Sequence, residues 1–166
     1  NERKMKLFSR DTLYNGMITQ SLLNDFKMPI LTTLIKKKIF KKISFNKKYN
    51  IIGDFDLFVK LSLKEKIYSM QEPLAYYRLH ESNLTRKRLD LNINEIKSWI
   101  KEHEKKKKFS HLSFSKLKMF LETLLIKKYL IEGNKLKVIK LFFKQPSNLQ
   151  KYKFLFFLFL PKKIID

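Results

Sequence analysis

Apolar positions recur along this chain at two spacings, and the spacing changes several times. From residue 11 to residue 26, Leu13, Met17, Ile18, Leu22, Leu23 and Phe26 fall at intervals that place them on one side of a helix. Asp11 stands where an N-cap is needed, while Gly16 weakens the helix locally. Pro29 ends this pattern, and Ile30 to Ile35 (ILTTLI) is a short, β-branched apolar run that predicts a buried strand. A short helix is expected over Lys36 to Ile43, with Ile39, Phe40 and Ile43 on its apolar side, before a polar loop from Ser44 to Asn50.

The next helix starts at Gly53 or Asp54, with Asp54 and Asp56 near its positive end. Leu57, Phe58, Leu61 and, at the margin, Ser62 form its inward face. Lys66 to Met70 reads as a strand, Glu72-Pro73 as a turn and Leu74 to Leu79 as a second strand. Helix, strand and strand in so short a span predict an α/β domain. Beyond Thr85 the period becomes helical throughout. Residues 86–108 suit a charged helix with Leu89, Ile93, Ile96, Trp99 and Ile100 on one side, ending in a solvated lysine run from Lys105 to Lys108. Residues 114–131 and 135–144 read as two amphipathic helices, separated by the helix-stop pair Gly133-Asn134.

The tail holds one continuous apolar run, Phe154 to Leu160, flanked by Lys151, Lys153, Lys162 and Lys163. A membrane-spanning helix needs about 20 apolar residues, so this run does not span a bilayer. Two placements stay open, a buried terminal helix and a helix lying in the membrane interface. Lysines on both sides favour the interface.

Composition changes this picture in three ways. The formal net charge of +22 points to anionic partners. Only Arg3, Arg10, Arg78, Arg86 and Arg88 among the 37 basic residues are arginine. Specific nucleic-acid readers depend on the bidentate guanidinium, so the charge argues for anionic lipid more than for DNA or RNA. The absence of cysteine excludes a disulfide framework and thiolate metal sites.

Candidate chemistry is concentrated between Ile51 and Thr85. Asp54 and Asp56, two positions apart on a helix, diverge in direction and do not form an acid–base dyad. On pattern alone both cap the helix. Arg78 and His80 share one face of the second expected strand, where a guanidinium and an imidazole suit a diphosphate and its divalent ion. His103 and His111 have no ligand spacing with His80. Gly-rich phosphate loops, Walker sequences, zinc patterns and nucleophile elbows are all missing from the sequence.

The order of these signals resembles the later half of family 2 glycosyltransferases. The matching residues are Asp54, Asp56 and Leu57, then Lys66, Ile67 and Tyr68, then Glu72, Pro73, Leu74, Tyr77, Arg78, His80, Asn83 and Thr85. The stretch Thr32 to Phe40 (TTLIKKKIF) is similar to the segment that precedes this motif in the family. The resemblance covers roughly residues 28–85. Two positions depart from it: Gly53 stands where a Glu precedes the base, and Lys60 stands where the following helix carries an Arg.

The resemblance implies a partial GT-A-type, Rossmann-like α/β catalytic domain over residues 1–85. A charged connecting helix or linker over 86–108 and a helical tail over 109–166 would follow. Asp54 would be the catalytic base, Thr32, Lys60 and Arg78 would contact substrate or diphosphate, and His80 would ligate a divalent Mg or Mn ion. Partners would be a nucleotide-sugar donor and a glycan or lipid-linked acceptor, at the cytoplasmic face of the membrane. Residues 1–50 contain no counterpart of the family's donor-binding half, so the chain is expected to start midway through the catalytic domain and to be inactive alone. Two other readings compete. One is a non-enzymatic, lysine-rich module that binds nucleic acid or anionic membrane. The other is a helical adaptor, which predicts a helix-dominated structure without strands at 66–70 and 74–79.

Overall fold

A computed structural model describes residues 12–76 and 88–144. Its elements are α1 (Thr19–Asn24), α2 (Lys37–Phe40), α3 (Gly53–Ser62), α4 (Leu89–His103), α5 (Ser115–Ile131) and α6 (Lys135–Lys144), with single 3-10 turns at Ile30–Thr32 and Lys107–Phe109. Among the described residues there is no sheet, and the only β-type pairing is one antiparallel bridge between Gly16 and Ile67. The α/β, GT-A-type expectation is therefore overturned.

Each expected strand fails for an identifiable reason. Residues 30–35 carry strand-like side chains, but the Thr32 and Thr33 hydroxyls turn back onto the Pro29 carbonyl at 3.2 and 3.0 Å. That local bonding competes with a ladder and closes a 3-10 turn. Leu34 is left fully exposed. Of residues 66–70, Ile67 alone pairs, exchanging two backbone hydrogen bonds with Gly16 at 2.7 and 2.9 Å. Leu74 and Tyr76 are exposed and belong to no regular element, and residues 77–79 lie outside the described residues. An apolar β-branched run becomes a strand only where a neighbouring backbone pairs with it. Among the described residues, 30–35 and 74–76 have no such neighbour, and 66–70 has only the single bridge to Gly16.

The first helix is shorter than its periodicity predicts. Gly16 sits at φ 92°, in the left-handed region that glycine tolerates, and residues 12–15 before it are not helical, while the expected N-cap Asp11 lies outside the described residues. Residues 13–15 instead run alongside 69–71. The Ser69 N–H donates to Asn15 Oδ1 at 2.6 Å, the Ser69 hydroxyl donates to the Tyr14 carbonyl at 2.8 Å, and the Leu13 N–H donates to Gln71 Oε1 at 2.9 Å.

Among the described residues the other expected helices form, although the one expected over Lys36 to Ile43 is confined to Lys37–Phe40, and the expected terminal helix at Phe154 to Leu160 lies outside the described residues. Leu57, Phe58, Leu61 and Ser62 are all buried, making α3 the central helix of the core. Its last turn meets α1, where the Ser62 hydroxyl lies 3.0 Å from the Thr19 hydroxyl and 2.9 Å from the Val59 carbonyl. Ile93, Ile96, Trp99 and Ile100 of α4 are buried as the stripe predicted. An aromatic group comprising Phe26, Phe55, Phe58, Trp99, Phe109 and Phe114 joins these helices. Helix α5 packs on α1 and α4, and α6 folds back on α5. Gly133, at φ 72°, makes that reversal, and Ile126, Leu130 and Val138 form a small second core there. No helix of the described residues is long and apolar enough to cross a membrane.

Candidate functional site

Helix α3 carries the two carboxylates, and the structure gives them opposite environments. Asp56 is completely buried. Its Oδ1 accepts the Trp99 indole N–H at 2.8 Å, and its Oδ2 accepts from the Lys60 ammonium at 2.7 Å. A buried carboxylate must be paired or hydrogen-bonded, and Asp56 is both. Trp99 in turn stacks on the buried His103, with ring centroids 4.4 Å apart. His103 Nδ1 lies 2.9 Å from the Trp99 carbonyl, which fixes the tautomer protonated at Nδ1. Burial, more than any neighbouring charge, holds the imidazole below its ordinary proton affinity.

Asp54 lies in the first turn of α3, half-buried, and its Oδ1 accepts the Phe55 N–H at 2.8 Å. Desolvation raises the carboxyl above the usual aspartate value, against the opposing pull of backbone hydrogen bonds. No ion pair among the described residues involves it. Asp54 is thus a carboxylate held away from countercharge, while Asp56 is consumed by structure.

The position of Asp54 is set from the far side of the core. Ile52, the N-cap of α3, contributes no side-chain cap. The buried Glu95 carboxylate from α4 instead accepts the backbone N–H groups of Asn50, Ile51 and Ile52 at 2.8, 2.9 and 3.1 Å. These residues lead directly into α3, so Glu95 fixes where the helix starts. Gly53 has ordinary helical backbone, and a Cβ there would meet only the Phe45 ring at 3.8 Å. Nothing in the packing requires glycine at the place where the resembled family carries Glu.

The remaining expected site residues do not gather around Asp54. Thr32 lies in the 3-10 turn with its hydroxyl on the Pro29 carbonyl. Lys60 is paired with Asp56 and lines a different feature, an open cleft of about 630 Å³. Arg78 and His80 lie outside the described residues. Among the described residues, no three His, Asp or Glu side chains come together as a metal site.

The chain matches no family model, no curated protein and no solved structure. The functional reading therefore rests on its own residues.

The cleft is built by four segments. Thr19 and Gln20 come from the start of α1, Lys42 and Ser44 from the segment after α2, Lys60 and Lys64 from the end of α3, and Lys108 and His111 from the turn after α4. Gln20 pins that last turn by accepting the Ser113 N–H at 2.7 Å and donating to the Ser113 carbonyl at 3.0 Å. None of the described residues that line the cleft is acidic.

Sequence reasoning missed Glu95, Trp99 and His103 as a polar assembly. The signal was present in the stripe. Asn92, Glu95, Ile96, Trp99 and His103 fall at helical spacing, and all of them are buried. Polar residues on an inward stripe indicate buried partners: Glu95 and Trp99 find theirs on the entry to α3 and on α3, and His103 bonds back to the Trp99 carbonyl.

Proposed function

We propose that this chain carries the acceptor-activating base of an inverting glycosyltransferase, and that Asp54 is that base. The observation that supports this reading is the division of labour within Asp54-Phe55-Asp56. One carboxylate is locked to Lys60 and Trp99, and the other is half-buried, without an ion pair among the described residues and with raised proton affinity. A general base works best when its pKa moves toward the working pH, and desolvation moves Asp54 in that direction. In the reaction, the Asp54 carboxylate removes the proton of an acceptor hydroxyl as its oxygen attacks the anomeric carbon. The bond from that carbon to the departing diphosphate oxygen breaks on the opposite face, which inverts the configuration. The donor would be a nucleotide-sugar and the acceptor a glycan or lipid-linked glycan at the cytoplasmic membrane face, the classes implied by the sequence resemblance. The reading rests on Asp54 and its motif, not on the helical fold.

A second reading, a helical interaction module without catalysis, is favoured by one observation. Residues 66–70 and 74–76 form no strand, as a helical adaptor predicts. One experiment separates the two. The protein is replaced in its own cell by Asp54→Asn, and glycan transfer from labelled nucleotide-sugars to membrane acceptors is measured. The enzymatic reading expects loss of transfer with normal protein abundance. Transfer retained at the wild-type level removes Asp54 as the base and leaves the helical module.

A further inference from the structure

The lysine-lined cleft is a concave surface of single charge sign that lies apart from Asp54, which is not among its lining residues. A chain with 37 basic and 15 acidic residues exposes unpaired lysines on many faces, so lysine alone says little. What distinguishes this place is convergence. Lys42, Lys60, Lys64 and Lys108 come from three separate segments and line one hollow. Elsewhere acids do meet lysines: Glu102 pairs with Lys48 at 2.9 Å and with Lys106 at 3.2 Å, Asp25 pairs with Lys27 at 2.8 Å, and Lys118 and Lys128 pair with Glu104 and Asp90. No ion pair among the described residues reaches Lys42, Lys64 or Lys108. Burial, followed by the charges of Lys106, Lys60 and Lys64, holds Lys108 below the ordinary lysine value, against the weaker opposing pull of Asp56.

The Thr19 and Ser44 hydroxyls between the lysines are donors of the right kind for phosphate oxygens, while both Gln20 amide hydrogens are already committed to Asn24 Oδ1 and the Ser113 carbonyl. Met17, Ile43, Leu63 and Leu112 complete the wall and provide apolar contact for an uncharged body attached to the anion. The volume lies within the range of about 300–1,000 Å³ usual for small-molecule sites. We propose that this cleft binds a phosphate-rich group, a phosphomonoester or diphosphate, with Lys64 and Lys108 as its principal cationic contacts and Lys60 linking the site to the buried Asp56–Trp99 pair.

The test uses the full chain at about 0.15 M salt, where exposed charges farther apart than roughly 8 Å are screened. Inorganic pyrophosphate is titrated by calorimetry, and emission of Trp99, the only tryptophan, reports any disturbance relayed through Lys60 and Asp56. A second arm measures binding to phosphatidylcholine vesicles containing phosphatidic acid, which separates a free phosphate from a lipid headgroup. Lys64→Gln and Lys108→Gln break no ion pair among the described residues, dichroism checks that the fold survives loss of the Lys108 ammonium over the Phe109 ring, and Lys116→Gln outside the cleft is the control. The expected result is saturable binding in one arm, weakened about tenfold by each cleft substitution, as for loss of one charge-assisted contact, and unchanged by Lys116→Gln. Binding that all three variants weaken equally, or no saturable binding in either arm, overturns the proposal. Failure here leaves the reading of Asp54 untouched, because neither cleft lysine touches it.

Discussion

Replacing Asp56 with alanine removes two bonds at once from the least accessible place in the core. Both Asp56 and Trp99 are 0% exposed, and the Trp99 N–H to Asp56 Oδ1 distance is 2.8 Å. Without the carboxylate, that indole N–H is a buried donor with no acceptor, a loss of about 1–3 kcal/mol. The same substitution strips Lys60 of its partner. Removing one member of a buried pair costs about 3–5 kcal/mol in general. Lys60 keeps 24% side-chain exposure and can turn its ammonium to water, so its share is well below that range. Together the two effects amount to about 3 kcal/mol, a large part of the roughly 5–15 kcal/mol that holds a domain of this size together. The melting temperature should fall by roughly 6–12 °C, taking about 2–4 °C per kcal/mol.

Urea unfolding followed by Trp99 emission and by far-ultraviolet dichroism measures the effect. Asp56→Asn keeps an acceptor for Trp99 but loses the charge, and should cost about 1 kcal/mol less than alanine. Lys60→Met leaves the carboxylate buried with Trp99 as its remaining side-chain partner and should be comparably damaging. In the double variant the two losses should fall well short of their sum, because each single change already breaks the same pair. A loss below about 1 kcal/mol for Asp56→Ala, or strict additivity in the double variant, refutes the reasoning.

Three further outcomes follow from the same geometry. Asp54→Asn should raise the melting temperature at neutral pH. A carboxyl whose folded value lies above its ordinary 3.8 costs stability once pH rises through that folded value, so the gain should vanish below about 3.8. A variant that melts lower at neutral pH would contradict the desolvation reading. Glu95→Ala should cost about 2–3 kcal/mol and speed amide exchange at Asn50, Ile51 and Ile52, while Glu95→Gln, which keeps one acceptor oxygen, should cost about half as much. Unchanged exchange at those amides would remove Glu95 as the group that fixes the start of α3. For His103 the folded value lies below the ordinary 6.5, so its contribution is intact above about 6.5 and is lost as pH falls through the depressed value. The urea midpoint of the wild type should therefore drop as pH falls below about 6.5, and His103→Phe should flatten that slope.

The helical half of the chain was legible because its signal is local. Leu57, Phe58 and Leu61, or Ile93, Ile96, Trp99 and Ile100, lie on one face by the 3.6-residue period alone, and burying that face needs nothing more than another helix. The strands were not legible for the opposite reason. Ile30 to Ile35 has strand composition, yet a strand is a pairing, and the sequence does not say whether a neighbouring backbone is present. Gly16 shows the same limit. Its place in a helical stripe predicted a weak spot, but the bridge to Ile67 that takes residues 13–16 out of the helix lies 51 residues away in sequence.

The candidate site divides in the same way. The sequence alone determined that two carboxylates open α3, that they point in different directions and that lysine dominates the charge. Which carboxylate is structural was decided only in three dimensions, because the groups that claim Asp56 include Trp99, 43 positions away on another helix. Lys60 was legible as a cation on α3, but its pairing with Asp56 and its place in a cleft with Lys64 and Lys108 were not. Local periodicity fixes which face of a helix is buried. Only the assembled core fixes which polar group waits on the other side, since a buried charge is held by whatever donor the fold brings within hydrogen-bonding distance.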